Sequence, residues 1–155
     1  MKTSHLIIAF LLLSGLITTA QNKSNEAQSL ILESQSRFSF TETNDILTKT
    51  ITENGWKITI IHDLQETMRK DSKEVLPVKV IEICNPGLAF LILSKDELRD
   101  VSPMLPCRIS VYEKSNGHTY ISRLNAAAFS HLIDKEAAKT INLAFDEAEK
   151  FVKTV

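Results

Sequence analysis

Glycine and proline are scarce in this 155-residue chain, four of each, which excludes a collagen-like repeat or a Pro/Gly-rich disordered chain. Neither sign of charge is in excess: 18 Lys and Arg stand against 19 Asp and Glu, a net charge of −1. Without a basic surplus to neutralise phosphates, nucleic-acid binding is excluded as a first reading. The longest apolar run, from Leu6 to Leu13 and on to Ile17, is about 12 residues, short of the ~20 that a permanent bilayer span needs. No H-E-x-x-H, G-x-S-x-G or glycine-rich phosphate loop occurs, nor any repeat of 20–50 residues. Cysteine is limited to Cys84 and Cys107, which do not form a C-x-x-C pair. What remains is a chain of one-domain length, 43% hydrophobic, able to bury a core without metal or disulfide staples.

The apolar run belongs to an address. Lys2 precedes it, and Thr18-Thr19-Ala20 close it with small residues, which is the grammar of a secretory signal peptide over residues 1–20. Cleavage before Gln21 leaves 135 residues with a net charge of −2, no membrane span, and a periplasmic or secreted location. Residues 21–29 (QNKSNEAQS) read as a polar linker, and residues 30–155 as a single domain.

Within that domain, Ser29 to Phe40 alternates as a first strand. Thr41 caps a helix to Asn54, with Gly55 at its C′ position. Trp56 to His62 is a β-branched run that sets Trp56, Ile58, Ile60 and His62 on one face. A short helix begins at Asp63, where Asp63 and Glu66 are spaced as a capping pair. Val78 to Cys84 is a central strand, and Asn85-Pro86 opens another short helix. Lys95 to Pro106 is a long connection. Cys107–Tyr112 and Tyr120–Leu124 form a hairpin about Asn116-Gly117, read as a two-residue type I′ turn. That turn places Cys107, Ile109, Val111, Tyr120 and Leu124 on the core face, and Arg108, Ser110, Tyr112, Ile121 and Arg123 on the other. Asn125 caps a small helix, and from Asp134 an apolar stripe at three- and four-residue spacing runs to Val155. The order β-α-β-β-β-β-α argues an α+β fold, an antiparallel sheet covered on one side by helices.

The residues that carry chemistry lie at strand ends and on the uncovered face. His62 ends a strand before a helix cap, a place that often lines a pocket and as often holds a structural histidine. Glu82, in an apolar strand, needs a partner such as His62 or Arg108 if it is buried. Arg108, Tyr112 and Arg123 on one sheet face suit either an anionic ligand or a dimer contact. For Cys84 and Cys107 three readings stand open: a structural disulfide, two buried thiols, or a functional pair. Cys84 precedes a helix N-terminus, which lowers a thiol pKa. Met104 and His62 would complete a soft-ligand set with the cysteines, better suited to copper than zinc.

Four pieces of this sequence, Gly55-Trp56, Ile61-His62-Asp63, Glu82-x-Cys84-Asn85-Pro86, and Leu105-Pro106-Cys107-Arg108 leading into Val111-Tyr112-Glu113, resemble in order and spacing the family known as domain of unknown function 302. The resemblance covers about Arg37 to Asn125. It implies a TBP-like fold, a curved antiparallel sheet backed by two helices, commonly as a dimer, and it implies no established reaction. A histidine recurs in that family at the place of His62, whereas glycine and leucine are common at the places of Cys84 and Cys107. The leader and the long terminal helix fall outside the family pattern.

The leading expectation is an exported domain that binds a small ligand or a soft metal ion without catalysing a known reaction. The ligand-binding candidates are His62, Glu82, Arg108, Tyr112 and Arg123, and the metal candidates are His62, Cys84, Met104 and Cys107. The rival is a homodimer whose sheet face contacts another envelope component. A third reading, a thiol-dependent redox enzyme, requires the two cysteine Cα atoms within about 7 Å.

Overall fold

The computed structural model describes residues 29–155, so the expected leader and most of the polar linker lie outside the described residues. The chain forms β1 (Ile31–Gln35), α1 (Phe40–Glu53), β2 (Lys57–Asp63), α2 (Leu64–Lys70), β3 (Val78–Cys84), α3 (Pro86–Leu93), β4 (Cys107–Glu113), β5 (Thr119–Leu124), α4 (Ala126–Phe129) and α5 (Lys135–Val152). The strands make one open antiparallel sheet in the order β1-β5-β4-β3-β2. Helices α1 and α5 pack against each other over one face. Among the described residues, no helix is long and apolar enough to cross a membrane.

The core follows from two periodicities. Ile81 and Ile83 in β3, Cys107, Ile109 and Val111 in β4, and Ile121 in β5 alternate onto the helix-covered face and are buried. They meet Leu47 and Ile51 of α1 and the stripe Ala137, Ile141, Ala144, Phe145, Ala148 and Phe151 of α5. No described residue on the opposite face is fully buried, so the sheet is open on that side.

Local chemistry sets the helix starts. Asn85 accepts from the backbone N–H groups of Gly87 and Leu88 at the head of α3, with Pro86 at its first position, as the sequence predicts. Asp63 and Asp134 cap α2 and α5 in the same way. Helix α1 starts earlier than expected. Ser39, not Thr41, is its N-cap, because Ser39 and Glu42 bond reciprocally in a capping box, and β1 ends correspondingly early, at Gln35. The connection from Lys95 to Pro106 is also more ordered than expected: residues 96–104 form a 3-10 helix that buries Leu98 and Val101.

Two corrections decide which side chains reach the open face. Strand β2 shifts register between Ile58, which pairs with core Ile83, and Ile60, which pairs with Glu82. A bulge of this kind inverts the alternation downstream. Ile60 and His62 therefore face away from Ile58 rather than with it. The hairpin is the second case. Lys114 and His118 are bonded across a three-residue loop, Ser115-Asn116-Gly117, whose glycine takes the left-handed conformation at φ 78°. One residue more than the expected two-residue loop moves the β5 side chains from Tyr120 to Arg123 to the other face. Thr119, Ile121 and Arg123 turn to the helices, while Tyr120 and Ser122 turn to the open side; Leu124, at the strand's end, packs against the core as expected.

Candidate functional site

The register builds the open face in cross-strand rows. One row reads Ile60, Glu82 and Arg108. The next crosses all five strands as His62, Val80, Ser110, Ser122 and Glu33. A third reads Val78, Tyr112, Tyr120 and Gln35. The small side chains of Val80, Ser110 and Ser122 thus form a strip, with Glu82 and Arg108 on one flank and two tyrosines on the other.

Glu82 is the organiser of the first flank. Its side chain is 14% exposed, and its carboxylate accepts from Arg108 Nε at 2.9 Å. The same oxygen accepts from His62 Nε2 at 3.2 Å, and a carboxylate acceptor requires the imidazole proton to sit on that nitrogen. The Arg108 guanidinium beside it holds the Glu82 carboxyl below the usual 4.5, with the His62 bond acting in the same direction. Arg108 itself is 51% exposed and gives only its Nε to Glu82. Its two terminal amino groups have no protein partner among the described residues, so this face presents a pre-oriented, charged two-pronged donor.

The other flank is neutralised internally. Glu33 accepts from Tyr112 Oη and from Lys114 Nζ at 2.7 Å, and these bonds, the Lys114 one foremost, hold its carboxyl low. Tyr112 stacks on Tyr120 with ring centroids 6.1 Å apart, and Lys114 Nζ lies 3.9 Å from the Tyr120 centroid. Partial burial, together with the Glu33 bond, pushes the Tyr112 phenol up to about 12.

The sequence-derived candidates divide accordingly. His62, Glu82 and Arg108 are bonded together, and Tyr112 shares their face. Arg123 does not. It lies on the helix side, 12% exposed, with Nε 2.5 Å and a terminal nitrogen 2.7 Å from the two oxygens of Glu149, and its other nitrogen 3.0 Å from Ser34 Oγ. The metal candidates are not brought together either. His62 pairs with Val80, four residues along β3 from Cys84, a separation of roughly 13 Å by strand rise. Met104 packs against the core at the end of the 3-10 helix. Among the described residues, no three His, Cys, Asp or Glu side chains are grouped to hold a metal ion.

Cys84 and Cys107 are free thiols that line one cavity with Trp56, Leu88, Ile92 and Ala144. Its free volume is only about 20 Å³, room for about one water. Burial raises both thiol pKa values, that of Cys107 to about 11. For Cys84 this is the opposite direction to the lowered value expected from its place before a helix.

Glu33, Lys114, Ser110, Ser122 and Tyr120 were not among the candidates. A two-residue turn places Tyr120 in the core, whereas the three-residue loop places it on the open face. An alternative register with buried Thr119 and Ile121 fits the same sequence, and only the loop length separates the two.

Glu82 supplies a pH prediction. Its folded-state pKa is depressed, so the stability from its contacts is present above about 4.5 and is lost as pH falls through the lowered folded value. Acid unfolding should therefore begin at higher pH in wild type than its remaining carboxylates alone would give. Denaturant midpoints of wild type and Glu82→Gln should converge below pH 4.5 and separate above it. A gap that does not change with pH would show that Glu82 gains nothing from being ionised.

A protein-family model described as "Domain of unknown function DUF302" matches residues 32–155. Among solved structures, an uncharacterised conserved DUF302 protein from Bacillus stearothermophilus has the same fold, with a TM-score of 0.65 and 20% sequence identity. The match covers 80% of this chain and 94% of that one. No curated protein matches this sequence.

Proposed function

This chain belongs to the DUF302 family, and on that premise we propose that it is an exported binding domain whose open sheet face takes a small anionic ligand at Arg108. The observation that carries the reading is the arrangement of Glu82: one largely sequestered carboxylate orients both Arg108 and His62 and leaves the guanidinium's terminal donors free. An oriented guanidinium binds carboxylate or phosphate with two parallel bonds and a small ordering cost. The strip of Val80, Ser110 and Ser122 offers room and hydroxyls beside it, and Tyr112 and Tyr120 offer an aromatic wall. Export is supported by Lys2, the apolar run from Leu6 to Ile17 and the small residues Thr18 to Ala20.

Calorimetric titration at low ionic strength with acetate, benzoate and inorganic phosphate tests the site. Saturable binding of at least one probe is expected, and Arg108→Ala should weaken it by at least about tenfold, the value of a charged hydrogen-bonded pair. Unaltered binding by Arg108→Ala, or no saturable binding to wild type, would sink the proposal.

A second reading has its own observation. Ile31 and Ile60 are exposed on the two edge strands of the same face, across the serine strip from the tyrosine stack, which suits a second copy of the chain. Light scattering separates the two readings. A dimer that becomes monomeric on Tyr112→Asp supports association through this face, whereas a monomeric wild type leaves the face to a ligand.

A further inference from the structure

We propose that Cys84 and Cys107 form a reversible intramolecular disulfide that ties the end of β3 to the start of β4. The ladder pairs Cys107 with Ile83, so Cys84 is one residue past its direct partner. Strands about 4.8 Å apart with a rise of about 3.4 Å per residue place the two Cα atoms roughly 6 Å apart. Disulfides bridge Cα atoms at about 4.4–6.8 Å.

Spacing alone does not suffice, because Ile83 and Cys84 would face opposite sides of an uninterrupted strand. Here β3 ends at Cys84, and Asn85 already caps α3. That change of direction brings Cys84 to the same cavity wall as Cys107. The two sulfurs also sense each other's charge, since an ionised Cys84 adds to the elevation of the Cys107 pKa. No other pair of thiols exists in the chain to compete.

The chemistry balances with a low-molecular-weight disulfide such as oxidised glutathione as the oxidant. Cys84, half-buried, is the thiol that an external reagent reaches first. Its thiolate attacks one sulfur of the reagent, breaks that S–S bond and releases one thiol. The Cys107 thiolate then attacks the Cys84 sulfur, forms the internal bond and expels the second thiol. The protein loses two protons and two electrons, and the reagent gains them. Because burial raises both thiol pKa values, exchange is slow at neutral pH and quickens as pH rises.

The link encloses 22 residues, namely α3, the 3-10 helix and their connections. It pins α3 over the cavity that it helps to wall. The inference is independent of the ligand at Arg108 and of export.

The test equilibrates the intact chain with oxidised glutathione at mildly alkaline pH, then alkylates it under denaturing conditions for mass spectrometry. The expected product lacks two hydrogens, carries no alkyl group, yields one Cys84–Cys107 cross-linked peptide and returns to two alkylatable thiols with reductant. Oxidation should also raise Tm by about 10 °C, the scale for closing a loop of this length in a domain of this size. In Cys84→Ser, Cys107 should remain alkylatable and Tm should not respond to oxidant. Two alkylated cysteines, glutathione retained on Cys84 with Cys107 free, or a disulfide between two chains would each overturn the proposal.

Discussion

Trp56→Ala is expected to destabilise the folded chain by about 3–5 kcal/mol, the range for removing a large aromatic from a packed core. Trp56 is the only tryptophan and is 3% exposed. Its ring meets Phe151 of α5 edge-on at 5.6 Å, and its indole N–H donates to Glu147 Oε2 at 3.0 Å. Its backbone N–H donates to Ile51 O at the end of α1. One residue therefore joins the first helix, the entry into β2 and the last helix. Truncation would also enlarge the small cavity that Trp56 shares with Cys84 and Cys107, and the unfilled volume adds to the loss of buried area. Trp56→Phe keeps most of the bulk and loses the indole hydrogen bond, so a cost of about 1–2 kcal/mol is expected. Urea unfolding followed by circular dichroism checks both variants, because fluorescence disappears with the tryptophan. Equal midpoints for the alanine variant and wild type would show that the ring is not packed as described.

Arg123→Ala is expected to cost about 2–4 kcal/mol, because it strands the Glu149 carboxylate in a poorly hydrated place. The pair is bidentate, Ser34 satisfies a third donor, and together they clamp β1 and β5 to α5. The double variant Arg123→Met with Glu149→Leu should recover most of the loss, since apolar side chains of similar size avoid the desolvation that the ion pair must offset. The pattern to look for is non-additive: two damaging single changes and a mild double one. Additive losses would mean that the two groups act separately. Anion binding provides the contrast. Changes at Arg123 should move stability and leave binding intact, while Arg108→Ala should weaken binding in addition to removing the stability that ionised Glu82 draws from it.

That contrast marks where sequence reading succeeded and where it failed. Asn85-Pro86 and the α5 stripe were legible because capping and 3.6-residue periodicity are local properties. The grouping of Glu82 with His62 and Arg108 was legible for a different reason. An acidic side chain in an apolar strand requires a partner, and few candidates lie within reach. Facing was harder to read. The register shift beside Thr59 has no glycine to announce it, and threonine suits a regular strand equally well. Asn116-Gly117 fits both a two-residue turn and the end of a three-residue loop, and the difference exchanges Tyr120 with Ile121 and turns Arg123 to the helices. The soft-ligand set failed because shared chemistry at strand ends does not specify distance. His62 and Cys84 lie at opposite ends of the β2–β3 pairing.

The strand order has a consequence for how such a chain is made. β1 and β2, the first strands to leave the ribosome, occupy the two outer edges of the sheet and never pair with each other. β2 finds β3 soon afterwards, but β1 must wait for β5, about 90 residues later. An early fragment can assemble β2, β3 and β4, but β1 stays unpaired until nearly all of the chain has been synthesised. Under the export proposed above, late pairing of β1 would help to keep the chain threadable through a translocation channel.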